Sequence, residues 1–126
     1  MSAAETGPWL DPRFAEGAAH YDAGRYFEAH EAWEHLWRAQ PAGQEKTWLQ
    51  GLIQLAVSLE HHRRGNPRGR DGQWAKAAAK LDAPRAGPVD LVATIAEARA
   101  SLGSTPSVSG AFLSRPRVCY SVEEPA

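Results

Sequence analysis

The sequence holds a single cysteine, Cys119, in 126 residues. No intramolecular disulfide framework can support the fold, and a reducing compartment suits it. Charge of one sign is scarce as well. The 14 Lys and Arg and 15 Asp and Glu leave a formal net charge of −1, so no overall basic field draws the chain to nucleic acid. Long apolar runs are missing: the stretch from Leu52 to Leu59 is broken by Gln54 and Ser58 and is too short for a bilayer. The opening residues MSAAETGPWLDPRF show no basic segment leading into an apolar one, so no secretory signal is expected. There is no Ser–His–Asp order, no phosphate-cradling glycine loop and no cysteine with a nucleophile motif around it. The expectation is a cytoplasmic protein without membrane or nucleic-acid partners.

What the sequence does contain is helical period. Asp11-Pro12 is a helix start, with Asp as cap and Pro at the first helical position. A first helix is expected over about 12–23, stopped by Gly24, and a second over about 26–39. The third, over about 45–64, places Trp48, Leu49, Leu52, Ile53, Leu55, Ala56 and Leu59 around more than half its circumference, so it is expected at the centre. A fourth helix is expected over about 72–81 and a fifth over about 88–102, with Gly65-Asn66-Pro67 and 82–87 as breaks. No stretch alternates as a strand would. The expected architecture is all-α: a single compact domain of about five antiparallel helices over 11–103, after an N-terminal arm over 1–10. An extended tail over 104–126 follows, rich in Ser, Pro and Gly and expected to be dispensable for folding. Phe112, Leu113, Val118 and Tyr120 are its candidate anchors, and Trp9 is the residue that would fold the arm back. The first two helices carry one fair copy of tetratricopeptide spacing, too few for an array.

The second helix, YFEAHEAWEHLWR, mixes three Glu and two His with large apolar residues. Tyr26, His30, Trp33 and Trp37 share one stripe, with Glu31 and Glu34 at its border. On the third helix Gln50, Gln54, Val57 and His61 form a polar ridge with the same spacing. Packed as neighbours, the two helices would bring His30, Glu31 and Glu34 against Gln50, Gln54 and His61 or His62, with Trp33 and Leu52 beneath. A structural network, in which Glu34 pairs with Arg38, accounts for such a cluster. A functional reading makes it a site for a small polar ligand or a protein partner. The alternative is a metal-dependent, hydrolase-like enzyme with a divalent ion on His30, Glu34 and His61, although HEAWEH is neither the zincin motif nor the Glu-x-x-His pair of di-iron bundles. Further on, HHRRGNPRGR over 61–70 reads as cationic capping of the third helix's C-terminus rather than a phosphate contact.

The segments GRYFEAHE, LQGLIQLA and RRGN follow Phe14 in that order. Together with Glu34, Trp37-Arg38 and Gly69, they make residues 14–81 resemble the small bacterial proteins grouped as domain of unknown function 309. The resemblance implies an all-helical fold and a cytoplasmic bacterial protein, and it implies no activity. After Gly69 the family usually continues with Ala into an apolar helix, whereas here Arg70-Asp71-Gly72-Gln73 intervene.

Overall fold

The computed structural model describes residues 7–103 and 115–119. A 3₁₀ turn, Pro8–Leu10, leads into α1, Pro12–Asp22, whose first turn is capped where Asp11 accepts the Arg13 amide at 2.9 Å. Gly24 takes a φ of 80°, where a β-carbon would be strained, and turns the chain into α2, Tyr26–Arg38. Next come α3, Gln44–Arg63, and α4, Pro67–Lys80. A two-residue hairpin pairs β1, Arg85–Ala86, with β2, Val89–Asp90, before α5, Leu91–Leu102. The described residues are thus all-α apart from one pair of two-residue strands.

Two boundaries differ from the sequence expectation. The fourth helix starts at Pro67, five residues before Gly72. Asn66 is not only the end of α3 but also the cap of α4, accepting the Gly69 amide at 3.2 Å, and Pro67 occupies the first helical position. The fifth helix starts at Leu91 rather than Pro88. Pro88 lies in the hairpin turn and Asp90 caps the helix through the Ala93 amide at 2.9 Å. The hairpin is too short to show alternation in sequence.

Helices α1 to α4 pack in chain order, α1 on α2, α2 on α3 and α3 on α4. The centre is aromatic. Phe14 stacks on Trp33 at 5.6 Å and 15°, and Tyr21 tilts against the same indole at 5.8 Å; all three are fully buried. Gly17 makes room for this. A β-carbon there would lie 2.2 Å from Trp33 Nε1, which instead donates to the Phe14 carbonyl at 3.0 Å. Gly51 on α3 admits Leu81 just beyond the end of α4 in the same manner, with 2.7 Å from a would-be β-carbon to Leu81 Cδ2. Ser58 on α3 donates to the Arg70 carbonyl on α4 at 2.7 Å.

Both flanks of the helical body are tied down. Trp9 is buried edge-on to Phe14 and donates to the Glu45 carboxylate on α3. Residues 115–119 are extended without helix or strand, and Val118 is buried. The Val118 amide donates to Asp22 at 2.9 Å, the Cys119 amide to Thr94 at 3.0 Å, and the Asp90 amide to the Cys119 carbonyl at 2.7 Å. These contacts hold this part of the tail to the body, with Val118 as its anchor. Phe112, Leu113 and Tyr120 lie outside the described residues.

Candidate functional site between α2, α3 and α4

The helical repeat of α2 brings His30, Glu34 and Arg38 one above another, four residues apart. Glu34 is held from both sides. His30 Nε2 lies 2.7 Å from its Oε2, and Arg38 Nη2 donates to its Oε1 at 2.6 Å. The His30 and Glu34 side chains keep 26% and 32% of their exposure, so this pair stands at the surface of the aromatic core and not inside it. Phe27 lies beside His30, ring centres 5.9 Å apart. Beneath the pair, Trp33 and Leu52 are fully buried.

His30 stands where three cavities meet. Toward α1 a broad groove of about 610 Å³ gathers Glu31, Glu28, Glu16, His20 and His35. Toward α3 and α4 a cavity of about 350 Å³ is walled by His30, Glu34, Trp37, Gln50, Gln54 and Gln73, with Ile53 and Val57 as its apolar part. Toward the end of α3 a smaller, apolar cavity of about 210 Å³ lies among Tyr26, Phe27, Val57 and His61. The polar ridge of α3 therefore does face α2. Gln50 and Gln54 share a cavity with His30 and Glu34, and His61 shares the next one with His30.

Glu31 is placed differently from the expectation. It is exposed in the outer groove and does not line the cavity of Gln50 and Gln54. One residue along a helix is about 100° around its axis, so Glu31 turns toward α1 when His30 sits next to α3. His61 does not join Glu34 either. It is held by the α3–α4 turn, with Nδ1 3.1 Å from Asn66 Nδ2, and it packs on Gly69, where a β-carbon would lie 2.6 Å away. Among the described residues no group of three or more His, Cys, Asp or Glu stands close enough to hold a metal ion. Each Glu34 oxygen instead meets one neighbour, Oε2 His30 and Oε1 Arg38. His62, the other candidate, is fully buried with Nδ1 3.2 Å from Arg70 Nη1.

The basic run serves the α3–α4 turn. Arg63 clasps the Glu60 carboxylate through two bonds, 2.8 and 2.7 Å, and Arg64 adds a third at 2.7 Å. The Arg63 hydrogen bonds, with Arg64 in support, hold the Glu60 carboxyl below its ordinary pKa against the opposing effect of burial. Arg70 is buried and turned onto His62 and Asp71.

Two cavity residues escaped the sequence reading. Trp37 reads as core from its stripe, yet it is only partly buried, its ring covered by Lys46 Nζ at 4.4 Å, and it lines the polar cavity. Gln73 falls in the first turn of the helix expected from 72, with no role assigned to it. A signal for it existed: once Asn66-Pro67 is recognised as a helix start, Gln73 falls at i+4 from Gly69 and i+3 from Arg70, on the side of α4 that meets α3. Behind the cavity surface, Gln54 Oε1 and Trp37 Nε1 are buried without a hydrogen-bond partner among the described residues.

No helix among the described residues is long and apolar enough to cross a membrane. No solved structure matches the chain. A protein of Bacillus subtilis (strain 168) described as "Uncharacterized protein YpuF" is 41% identical over 66 residues, 52% of this chain and 38% of the relative. The chain thus spans well under half the length of that relative. Residues 14–72, from within α1 through α3 and into α4, match the family described as "Domain of unknown function (DUF309)", and these elements carry His30, Glu34 and the glutamine ridge.

Proposed function

We propose that the chain is a cytoplasmic ligand-binding module whose site is the polar cavity beside the His30–Glu34 pair. The site lies within a helical domain over residues 11–103, flanked by the arm over 1–10 and the tail over 104–126. One observation carries this reading: His30, Glu34, Gln50, Gln54 and Gln73 converge on one cavity. Polar groups converging on a concave, partly apolar space are what a small-molecule site requires.

Native mass spectrometry of gently purified protein tests the reading. The wild type is expected to carry a small molecule that His30→Gln loses while keeping its helical circular dichroism. A wild type that carries nothing, together with His30→Gln and Glu34→Gln variants that simply unfold more easily, would make the cluster a structural network and end the proposal.

A further inference from the structure

We propose that the cavity between α2, α3 and α4 takes a planar, uncharged molecule with an amide or lactam edge, the chemistry shared by a nucleobase such as uracil and by an aromatic carboxamide. This rests on the ligand-binding reading above and adds the class of ligand.

Two features of the wall select it. The first is the kind of polar group. Gln50 and Gln54 from α3 and Gln73 from α4 present three primary amides to one space. Each amide both donates and accepts, so each pairs with an edge where C=O and N–H stand side by side. The second is charge. His30 and Glu34, the ionisable groups of the wall among the described residues, are bonded to each other, and Glu34 also to Arg38. An anion or a cation entering there must compete with these pairs for a counter-charge to offset its lost hydration.

Size and shape agree. A volume of about 350 Å³ suits a single-ring or fused two-ring molecule. Ile53, Val57 and the Trp37 ring give it an apolar side for a flat face.

The test is titration calorimetry with uracil, nicotinamide and nicotinate; the last keeps the ring of nicotinamide but replaces its amide by a carboxylate. Uracil and nicotinamide are expected to bind with Kd of roughly 0.1–1 mM, in keeping with ligands of so few atoms. Nicotinate is expected to bind at least about tenfold more weakly. Gln54→Leu and Gln73→Leu, each checked for native circular dichroism, are each expected to weaken nicotinamide at least about tenfold. Gln73 is only partly buried, so its variant folds even where Gln54→Leu does not. Nicotinate binding as tightly as nicotinamide overturns the inference, and so does full affinity in Gln73→Leu. If neither uracil nor nicotinamide binds, yet the wild type retains some other molecule that His30→Gln loses, the ligand class falls and the binding module stands. If nothing binds and nothing is retained, both fall.

Discussion

Replacing Gly17 by Ala adds one methyl group to the tightest place in the fold. On an exposed helix the same change stabilises, by about 1 kcal/mol, because alanine has the better helix propensity. Here the new β-carbon would stand 2.2 Å from Trp33 Nε1, 2.4 Å from its Cδ1 and 2.8 Å from its Cε2. The indole is fully buried between Phe14 and Tyr21, so it has no free space to retreat into. Overpacking of this kind costs about 1–3 kcal/mol. Moving the ring also stretches its bond to the Phe14 carbonyl, a further loss of about 1 kcal/mol. Set against the propensity gain, the balance is a loss of roughly 1–3 kcal/mol, or a fall in Tm of about 4–12 °C for a chain of this size. Gly72 is the internal control. It lies inside α4, is exposed, and a β-carbon there meets nothing within 4 Å. Gly72→Ala is therefore expected to raise Tm by about 2–4 °C. Urea melts followed by tryptophan fluorescence measure both. If Gly17→Ala proves as stable as the wild type, the packing of α1 against Trp33 is not as tight as described, and the positioning of His30 one turn earlier on α2 loses its foundation.

Three further outcomes follow from charge and from the tail. Glu34 is one-third exposed and its two ion pairs are i, i+4 contacts, so Glu34→Gln is expected to change ligand-free stability by less than about 1 kcal/mol; a drop of several kcal/mol in a urea melt would mark it as a structural carboxylate. Glu60 titrates below its ordinary value because of Arg63 and Arg64, so its contribution is present above the unfolded carboxylate pKa and fades as pH falls through the lowered one. Burial raises the Asp22 carboxyl instead, so its contribution is present at low pH and is lost as pH rises through the raised value. Urea midpoints between pH 7 and pH 3 should accordingly show Glu60→Gln losing about 1 kcal/mol at neutral pH with a flatter acid limb, and Asp22→Asn, which keeps an acceptor for Val118, losing nothing at neutral pH; the reverse pattern would refute both assignments. Truncation after Gly103 should lower stability by about 1–3 kcal/mol, the scale of burying one valine, and an unchanged melting point would show that the Val118 contacts are not formed in solution.

The parts of the fold that could be read in advance are those where one residue pattern has one meaning. The apolar wrap of α3 and the stripe of α2 fixed those helices and their mutual facing, and the ridge of Gln50 and Gln54 lies against His30 and Glu34 as its spacing implied. The errors fall where one residue serves two elements. Asn66-Pro67 ends α3 and begins α4, and Gly69 and Gly72 weaken the helical signal just after it. A helix started at 72 puts Gln73 in its first turn, where no stripe fixes its facing. Glu31 lines the outer groove with His30 and Glu34 and not the cavity of Gln50 and Gln54, because a border position on a helical stripe can turn to either neighbour, and only the packing of α1 on α2 decides which. The orphaned atoms of Gln54 and Trp37 depend on side-chain placement, which no spacing rule contains.

The bond from Val118 to Asp22 joins residues 96 apart in the chain, and that from Trp9 to Glu45 joins residues 36 apart. Helices α1 to α4, in contrast, meet only in sequential order among their principal contacts. Short-range encounters form early in folding, and distant ones await the closure of longer loops. This gives the molecule an order of assembly: helical hairpins first, the strap across Asp22, Asp90 and Thr94 last. Read in reverse, the strap is the place where the native state opens first, so α5 and its hairpin can loosen while the walls of the amide-lined cavity, built on α2, α3 and α4, stay closed.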